Sequence, residues 1–264
     1  MRTLRTLPAL FSLGFASATA YRAEFVVWAL TSTLPLIMLP LWHAVAAEAP
    51  LAGFSESRFT AYFLTGFVVR QLVGNWASWT INFEVKSGAL SQRLLRPIHP
   101  LWFYATESLA SIPLRSVLAL PVAIVAIALA DPTHVARDPL HWAMVLPAVL
   151  GAWAIGFFAH VAIGALSLWM HQSIKVVDLW YAGFFVLSGY LIPIAVFPAW
   201  LQPLPRWLPF EYVHGFPIDL LTGAMSPARA LERLGAQWTW VAILGLLALG
   251  LWHRGLRRYG AFGG

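Results

Sequence analysis

Six long apolar segments constrain the fold of this chain most strongly. A helix needs about 20 consecutive apolar residues to cross a bilayer. Windows of that kind lie at about residues 23–43, 59–80, 104–130, 141–168, 178–197 and 237–256. The sequence therefore predicts an all-α integral membrane protein with six transmembrane helices, in which residues 1–264 form a single transmembrane domain.

Composition supports a membrane location. Apolar residues make up 59% of the 264 and charged residues 11%, against about 45–50% and about 25% in soluble domains. The chain contains no cysteine, which excludes disulfides, thiol catalysis and cysteine-ligated metals, and no metal site is predicted. The sequence pI of about 10.1 does not predict nucleic-acid binding, because the basic residues are scattered between apolar segments.

The distribution of Lys and Arg predicts that both termini are cytoplasmic. Cytoplasmic loops carry an excess of basic residues, and this orientation places ten inside and five outside. The inner ones are Arg2, Arg5, Arg22, Lys86, Arg93, Arg96, Lys175, Arg254, Arg257 and Arg258. The outer ones are Arg58, Arg137, Arg206, Arg229 and Arg233.

The N-terminal segment, residues 1–22, has an apolar face formed by Leu4, Leu7, Phe11 and Phe15. Polar residues lie opposite, a pattern typical of an amphipathic helix on a membrane surface. We therefore predict an interfacial helix on the cytoplasmic leaflet. The alternative is a cleaved secretory signal, because the small residues of "SATAY" resemble a cleavage site.

The first inner loop is predicted to form a short amphipathic helix over residues 84–97. Ser87 is a candidate helix cap, and Pro97 ends the helix. The remaining residues divide into an apolar face of Leu90, Leu94 and Leu95 and a polar face of Gln92, Arg93 and Arg96. Two interpretations remain open: a solvated linker, or a helix that lies on lipid or docks into a groove of a partner.

Three charges fall inside predicted spans: Arg70, Glu107 and Arg115. A charge within a bilayer costs a few kcal/mol or more and indicates a specific role. We favour structural pairing or a dimer contact over a position along a substrate path.

Residues 198–236 form a long outer segment before the last span. Several prolines interrupt it, yet it is too apolar for a free loop. The pattern favours short helices that dip into the outer leaflet as a re-entrant hairpin. Trp200, Trp207 and Pro209 are its candidate functional residues, and the two tryptophans are alternatively interface anchors.

The motif "SGALSQRLLRPIHPLWF" at residues 87–103 resembles the corresponding loop of ABC-2-type exporter permeases, the ABC-2 family transporter proteins. The ending "RRYGAFGG" at 257–264 is similar to the usual ending of that family. The resemblance extends over essentially the whole chain.

The resemblance implies that the loop is a coupling helix seated on a separate ATP-binding subunit. Its candidate coupling residues are Glu84, Lys86, Ser87, Leu90, Arg93, Leu94, Leu95 and Arg96. ATP and Mg²⁺ would be held by that partner, with no cofactor on this chain. A second permease subunit, identical or different, and membrane lipids are the other expected partners, in the inner (plasma) membrane of a prokaryote.

Other functions have less support in the sequence. The chain has no G-x-x-x-x-G-K-[ST] phosphate loop, no H-E-x-x-H motif and no G-x-S-x-G motif, so we predict a permease without an enzymatic site of its own. A secondary transporter would show inverted repeats, which we do not find. A secondary transporter or a membrane scaffold remains the alternative.

Overall fold

The computed structural model describes residues 2–20, 32–129, 131–170 and 173–259, and these are mainly α-helical. Within them the only β pairing is one bridge between Leu51 and Phe54. The helices are α1 (Arg2–Ala20), α2 (Leu34–Glu48), α3 (Glu56–Val73), α4 (Ala77–Ser87), α5 (Ala89–Leu94), α6 (Pro100–Ala110), α7 (Ile112–Leu129), α8 (Pro139–Ala165), α9 (Lys175–Leu187), α10 (Pro203–Arg206), α11 (Pro209–Val213), α12 (Gly215–Leu221) and α13 (Pro227–Leu256). Short 3₁₀ turns lie at Pro132–His134, Leu166–Leu168 and Ile194–Val196.

Two helical segments of the described chain are long and apolar enough to cross a membrane. They are Pro139–Leu168, which is α8 with its 3₁₀ extension, and α13. Helices α6 and α7 together form a third candidate crossing. This stretch is bent by 54° within α7, between Pro100–Val117 and Ala119–Leu129. Pro121 accounts for the bend, because it cannot donate a hydrogen bond to the carbonyl of Val117. Six spans therefore stay a prediction, and most of the first one, residues 21–31, lies outside the described residues.

The predicted span at about 59–80 is interrupted, and whether this segment crosses the membrane stays a prediction. Helix α3 ends at Val73 and α4 begins at Ala77. In the gap, the side-chain Oδ1 of Asn75 accepts a hydrogen bond from the backbone N of Ala77 at 2.9 Å. The apolar composition of this window gave no sign of the interruption. The backbone groups that lose their helical partners form hydrogen bonds with polar side chains inside the protein.

The predicted helix over 178–197 is also interrupted. Helix α9 ends at Leu187, and Gly189 follows with a φ of +84°, a conformation that favours glycine. The chain then continues through Pro193 into a 3₁₀ turn. Only the first half of this predicted span is therefore α-helical.

Buried apolar side chains form two clusters along the long helices. The first joins α3, α8 and α13 to the short helices of residues 203–221, with Phe59, Ile155 and Phe216 fully buried in it. The second joins α4, α5 and α6 to the ends of α8 and α13, and includes Tyr104 and Trp252. Through these clusters, residues 84–97, which we call the coupling loop after their predicted role, and the outer segment 198–236 pack against the long helices.

The loops fall into two contact groups. In one, the segment before α8 meets the end of α12, where the N of Ala136 donates to the carbonyl of Leu221 at 3.0 Å. In the other, Nδ2 of Asn82 donates to Oγ of Ser173 at 2.7 Å. The first contact joins two predicted outer segments and the second joins two predicted inner ones, and the side of the membrane on which each lies stays a prediction.

Helix α1 packs against α6. A Cβ added to Gly14 would lie 3.0 Å from Cβ of Ala110 and 3.2 Å from Cα of Glu107. Leu10 is buried, whereas Phe11 and Phe15 are exposed. The exposed phenylalanines are compatible with the predicted position of α1 at a lipid surface.

Candidate functional site

The coupling loop is more compact than the predicted helix over 84–97. Helix α5 has only six residues, and a left-handed Gly88 (φ +77°) joins it to α4. Ser87 does not cap it: its Oγ donates a hydrogen bond to the carbonyl of Phe83 at 2.8 Å within α4. The left-handed glycine ends α4 in the usual way, and this turn was not foreseen.

Glu84 and Arg93 form an ion pair across this turn. Nε of Arg93 donates to Oε2 of Glu84 at 2.9 Å, and Nη2 of Arg93 contacts Oε1. The hydroxyl of Tyr104 donates to the same carboxylate at 2.5 Å. The guanidinium carbon of Arg93 lies 5.0 Å from the ring centroid of Phe103 and 5.1 Å from that of Tyr104. Charge, hydrogen bonds and cation–π contacts together fasten α5 to α4 and α6.

The leucines of the loop point in different directions. Leu90 is fully buried in the second cluster, beside Trp252 and Tyr104. Leu94 is 37% exposed and Leu95 is 87% exposed, the highest value among the exposed large apolar side chains of the described residues. Leu90 therefore anchors the loop instead of adding to the docking area predicted for it.

The remaining candidate coupling residues are exposed: Lys86, Ser87, Leu94, Leu95 and Arg96. We call Lys86, Leu94, Leu95 and Arg96 the coupling surface, after their predicted role. The guanidinium carbon of Arg96 lies 5.4 Å from the ring centroid of Phe103, so its charge is held close to the loop. Two apolar side chains flanked by two cations compose a small amphipathic surface. The predicted site thus divides into anchors, of which Glu84 and Leu90 are buried and Arg93 is partly buried, and exposed residues.

The C-terminal part of the chain also contacts the coupling loop and the start of α6. The hydroxyls of Ser91 and Tyr259 lie 3.2 Å apart, and the ring of His99 lies 6.2 Å from that of His253. Partial burial and the nearby His253 lower the pKa of His99 below its usual value. A neutral His99 suits its role at the start of α6, where its Nδ1 accepts a hydrogen bond from the N of Leu101 at 3.3 Å.

Structural pairing or a dimer contact is the role favoured from the sequence for the three charges in predicted spans, and the structure describes their contacts within the chain. Among the described residues, Glu107 forms no ion pair with Arg70 or Arg115. The buried Arg115 instead donates to the carbonyl of Gly74 at 3.0 Å and lies 4.5 Å from the ring centroid of Trp76. Arg115 therefore stabilises the interruption between α3 and α4 through a backbone carbonyl and an aromatic ring.

Arg70 lies among aromatic side chains. Its guanidinium carbon is 5.2 Å from the ring centroid of Phe184 and 5.8 Å from that of Tyr190. The side chain is half-buried. These contacts join α3 to the end of α9, where the chain leaves helical geometry.

The outer segment contains the short helices α10 to α12. Trp200 and Trp207 are both 79% exposed. Pro209 is buried and occupies the first turn of α11. The N of Gly215 donates to the carbonyl of Ser188 at 2.9 Å, which ties this segment to the end of α9. Its re-entrant position in the membrane and any gating role stay predictions.

Comparison with known families decides the class of this protein. Residues 33–263 match the family described as ABC-2 family transporter protein. The chain belongs to this family. The resemblance to this family is thereby confirmed. No curated protein matches the chain significantly. Members of the ABC-2 family are membrane components of transporters that work with an ATP-binding subunit.

Some residues that position the coupling loop were not found from the sequence. Tyr104 binds Glu84 from 20 positions away, and Tyr259 lies beside Ser91 from 168 positions away. Trp252 belongs to the same buried cluster as Leu90. None of the three belongs to a local motif. Within the described residues, no group of three or more His, Asp or Glu side chains is arranged to hold a metal ion.

Proposed function

We propose that this chain is the transmembrane permease subunit of an ATP-driven exporter. It moves an amphipathic or lipid-like substrate outward by alternating access, powered by a separate subunit that binds ATP and Mg²⁺. The observation that carries the proposal is the coupling surface, fastened by the Glu84–Arg93 pair on a chain of the ABC-2 family.

The anchors make the coupling surface suitable for transmitting force. Leu94 and Leu95 offer apolar area to a groove, and Lys86 and Arg96 offer charges that set orientation. Because Glu84 binds both Arg93 and Tyr104, displacement of α5 is passed to α4 and α6. The interruption at Gly74–Trp76 then provides a place where α4 can move relative to α3.

A second permease subunit, identical or different, completes the substrate path. The exposed apolar side chains of α7, among them Ile124 and Ile127, face lipid or that subunit. Arg70 lies near the interrupted end of α9, where it supports the structure or contacts the second subunit. The short outer helices form the exit side, and both termini lie in the cytoplasm of a prokaryotic cell.

Affinity purification of the tagged protein in mild detergent from its native membrane, followed by mass spectrometry, tests the proposal. We expect an ATP-binding protein with a phosphate loop to copurify. Leu95→Glu places a charge in the docking groove, so we expect at least a tenfold loss of that subunit. The matched control is Leu51→Glu, the same substitution at an exposed leucine in the other loop group.

The two outcomes are distinct. If the ATP-binding subunit is lost with Leu95→Glu and retained with Leu51→Glu, the result supports a coupling role. A protein that purifies without any ATP-binding partner in several mild detergents would contradict the exporter and favour the secondary transporter or scaffold.

A further inference from the structure

A recess lies among the loops of the group opposite the coupling loop. It consists of two adjoining cavities of about 120 and about 280 Å³. The segment before α3, the turn before α8, the short helix α12 and the start of α13 all contribute to its walls. Both cavities are lined by Phe54, Arg58, Tyr62, Asp219 and Ala224.

Positive charge predominates in this recess. Four arginines line it: Arg58, Arg206, Arg229 and Arg233. Among the described residues, Asp219 is the one acidic side chain in the lining, and Glu211 is an ion-pair partner of Arg233. Four positive against two negative side chains leave an excess of two positive charges.

Two of these arginines are held in place by the protein. The guanidinium carbon of Arg58 lies 4.1 Å from the ring centroid of Phe54, and its Nη1 donates to the carbonyl of Gly53 at 3.1 Å. Arg233 binds Glu211 and lies 3.6 Å from a carboxylate oxygen of Asp219. Fixed side chains of this kind lose little freedom when a ligand binds.

The other two arginines are exposed at the rim. Neither Arg206 nor Arg229 forms an ion pair with a carboxylate of the described residues. They come from different elements, α10 and the first turn of α13, yet line the same cavity. Planar guanidinium groups that converge on one space match the oxygens of a phosphoryl group.

We propose that this recess binds an anionic phosphoryl group, presented by the headgroup of an anionic lipid or by a free phosphate. The fixed Arg58 and Arg233 form the base of the site, and Arg206 and Arg229 close over the anion. The site needs no ATP-binding subunit, so it can be tested on the permease alone, independently of the proposed function.

The test uses the purified chain in phosphatidylcholine nanodiscs and follows thermal unfolding by tryptophan fluorescence. One arm adds phosphatidylglycerol to the bilayer, and the other adds inorganic phosphate to the buffer. We expect at least one of them to raise the unfolding temperature. In the double variant Arg206→Gln/Arg229→Gln the apparent affinity should fall roughly a hundredfold, since each charge-assisted contact accounts for about tenfold.

The matched control is Arg137→Gln/Arg258→Gln, which removes two exposed arginines that line neither cavity. Stabilisation by phosphatidylglycerol alone, lost only in the first double variant, identifies a lipid headgroup. Stabilisation by inorganic phosphate in pure phosphatidylcholine, lost in the same variant, identifies a soluble phosphate. Equal responses of both double variants, or no stabilisation by either probe, would overturn the site.

A measurement on the unsubstituted protein guards against misfolding of the variants. Phenylglyoxal modifies accessible arginines, and peptide mass spectrometry locates the products. The bound anion should slow modification of Arg206 and Arg229 at least fivefold while leaving Arg137 unchanged. Unaltered modification of the rim arginines in the presence of both probes contradicts the proposal.

Discussion

At the scale of single residues, Arg93 and Arg96 show how similar positions in one motif acquire different roles. Arg93 binds the buried carboxylate of Glu84, whereas Arg96 is exposed. Removing one partner of a buried pair costs about 3–5 kcal/mol. Because the Arg93 side chain is 23% exposed, we expect Arg93→Met to lower the free energy of unfolding by about 2 kcal/mol. Denaturant unfolding in detergent measures this loss.

Arg96→Met is the matched control, and its expected effect is within about 0.5 kcal/mol, as for most exposed substitutions. Glu84→Gln/Arg93→Met should be more stable than Arg93→Met alone, because no unpaired carboxylate remains. Equal destabilisation by Arg93→Met and Arg96→Met would show that the ion pair does not fasten the loop.

At the scale of elements, the turn between α4 and α5 depends on the conformation of one glycine. Gly88 has a φ of +77° and open space where a Cβ would lie. A left-handed residue with a Cβ costs about 1–2 kcal/mol. We therefore expect Gly88→Ala to lower the free energy of unfolding by about 1 kcal/mol or more and to weaken copurification of an ATP-binding subunit.

Gly250 provides the comparison, because it also has open space around its missing Cβ but lies within α13. Gly250→Ala should raise the free energy of unfolding by about 0.5–1 kcal/mol, the usual difference between these residues in a helix. Stability and copurification are measured on both variants. A loss seen only with Gly88→Ala is due to the left-handed backbone conformation and not to the added methyl group. A harmless Gly88→Ala would contradict the role of this turn.

The elements also show which parts of the structure can be predicted from the sequence. The apolar windows at 141–168 and 237–256 predict long helices, because burial in lipid requires apolar side chains along the whole element. The interruption at Gly74–Trp76 was missed because the carbonyl of Gly74 accepts its hydrogen bond from Arg115, 41 positions away. A local sequence pattern does not show such a partner. Spacing placed Leu90 and Leu94 on one face, but only Leu90 is buried, in a cluster with Trp252 and Tyr104 that no local pattern reveals.

At the scale of the whole molecule, the two loop groups differ in chemistry. One carries the coupling surface, and the other carries the arginine-lined recess. The Lys and Arg distribution predicts that the coupling surface is inside and the recess outside. With that orientation, ATP-driven movement acts on the inner ends of the helices. A bound anion acts on the outer ends of the same helices. Orientation is therefore the property on which the interpretation of both sites depends.

The absence of cysteine from the sequence makes orientation directly measurable. Gln92 and Leu51 are exposed residues in opposite loop groups, so Gln92→Cys and Leu51→Cys each introduce a single accessible thiol. In intact cells a membrane-impermeant maleimide should label Leu51→Cys, and it should label Gln92→Cys only after permeabilisation. The unsubstituted chain is the control for background. Labelling of Gln92→Cys in intact cells would place the coupling surface outside, where no ATP-binding subunit reaches it, and would contradict the proposed mechanism.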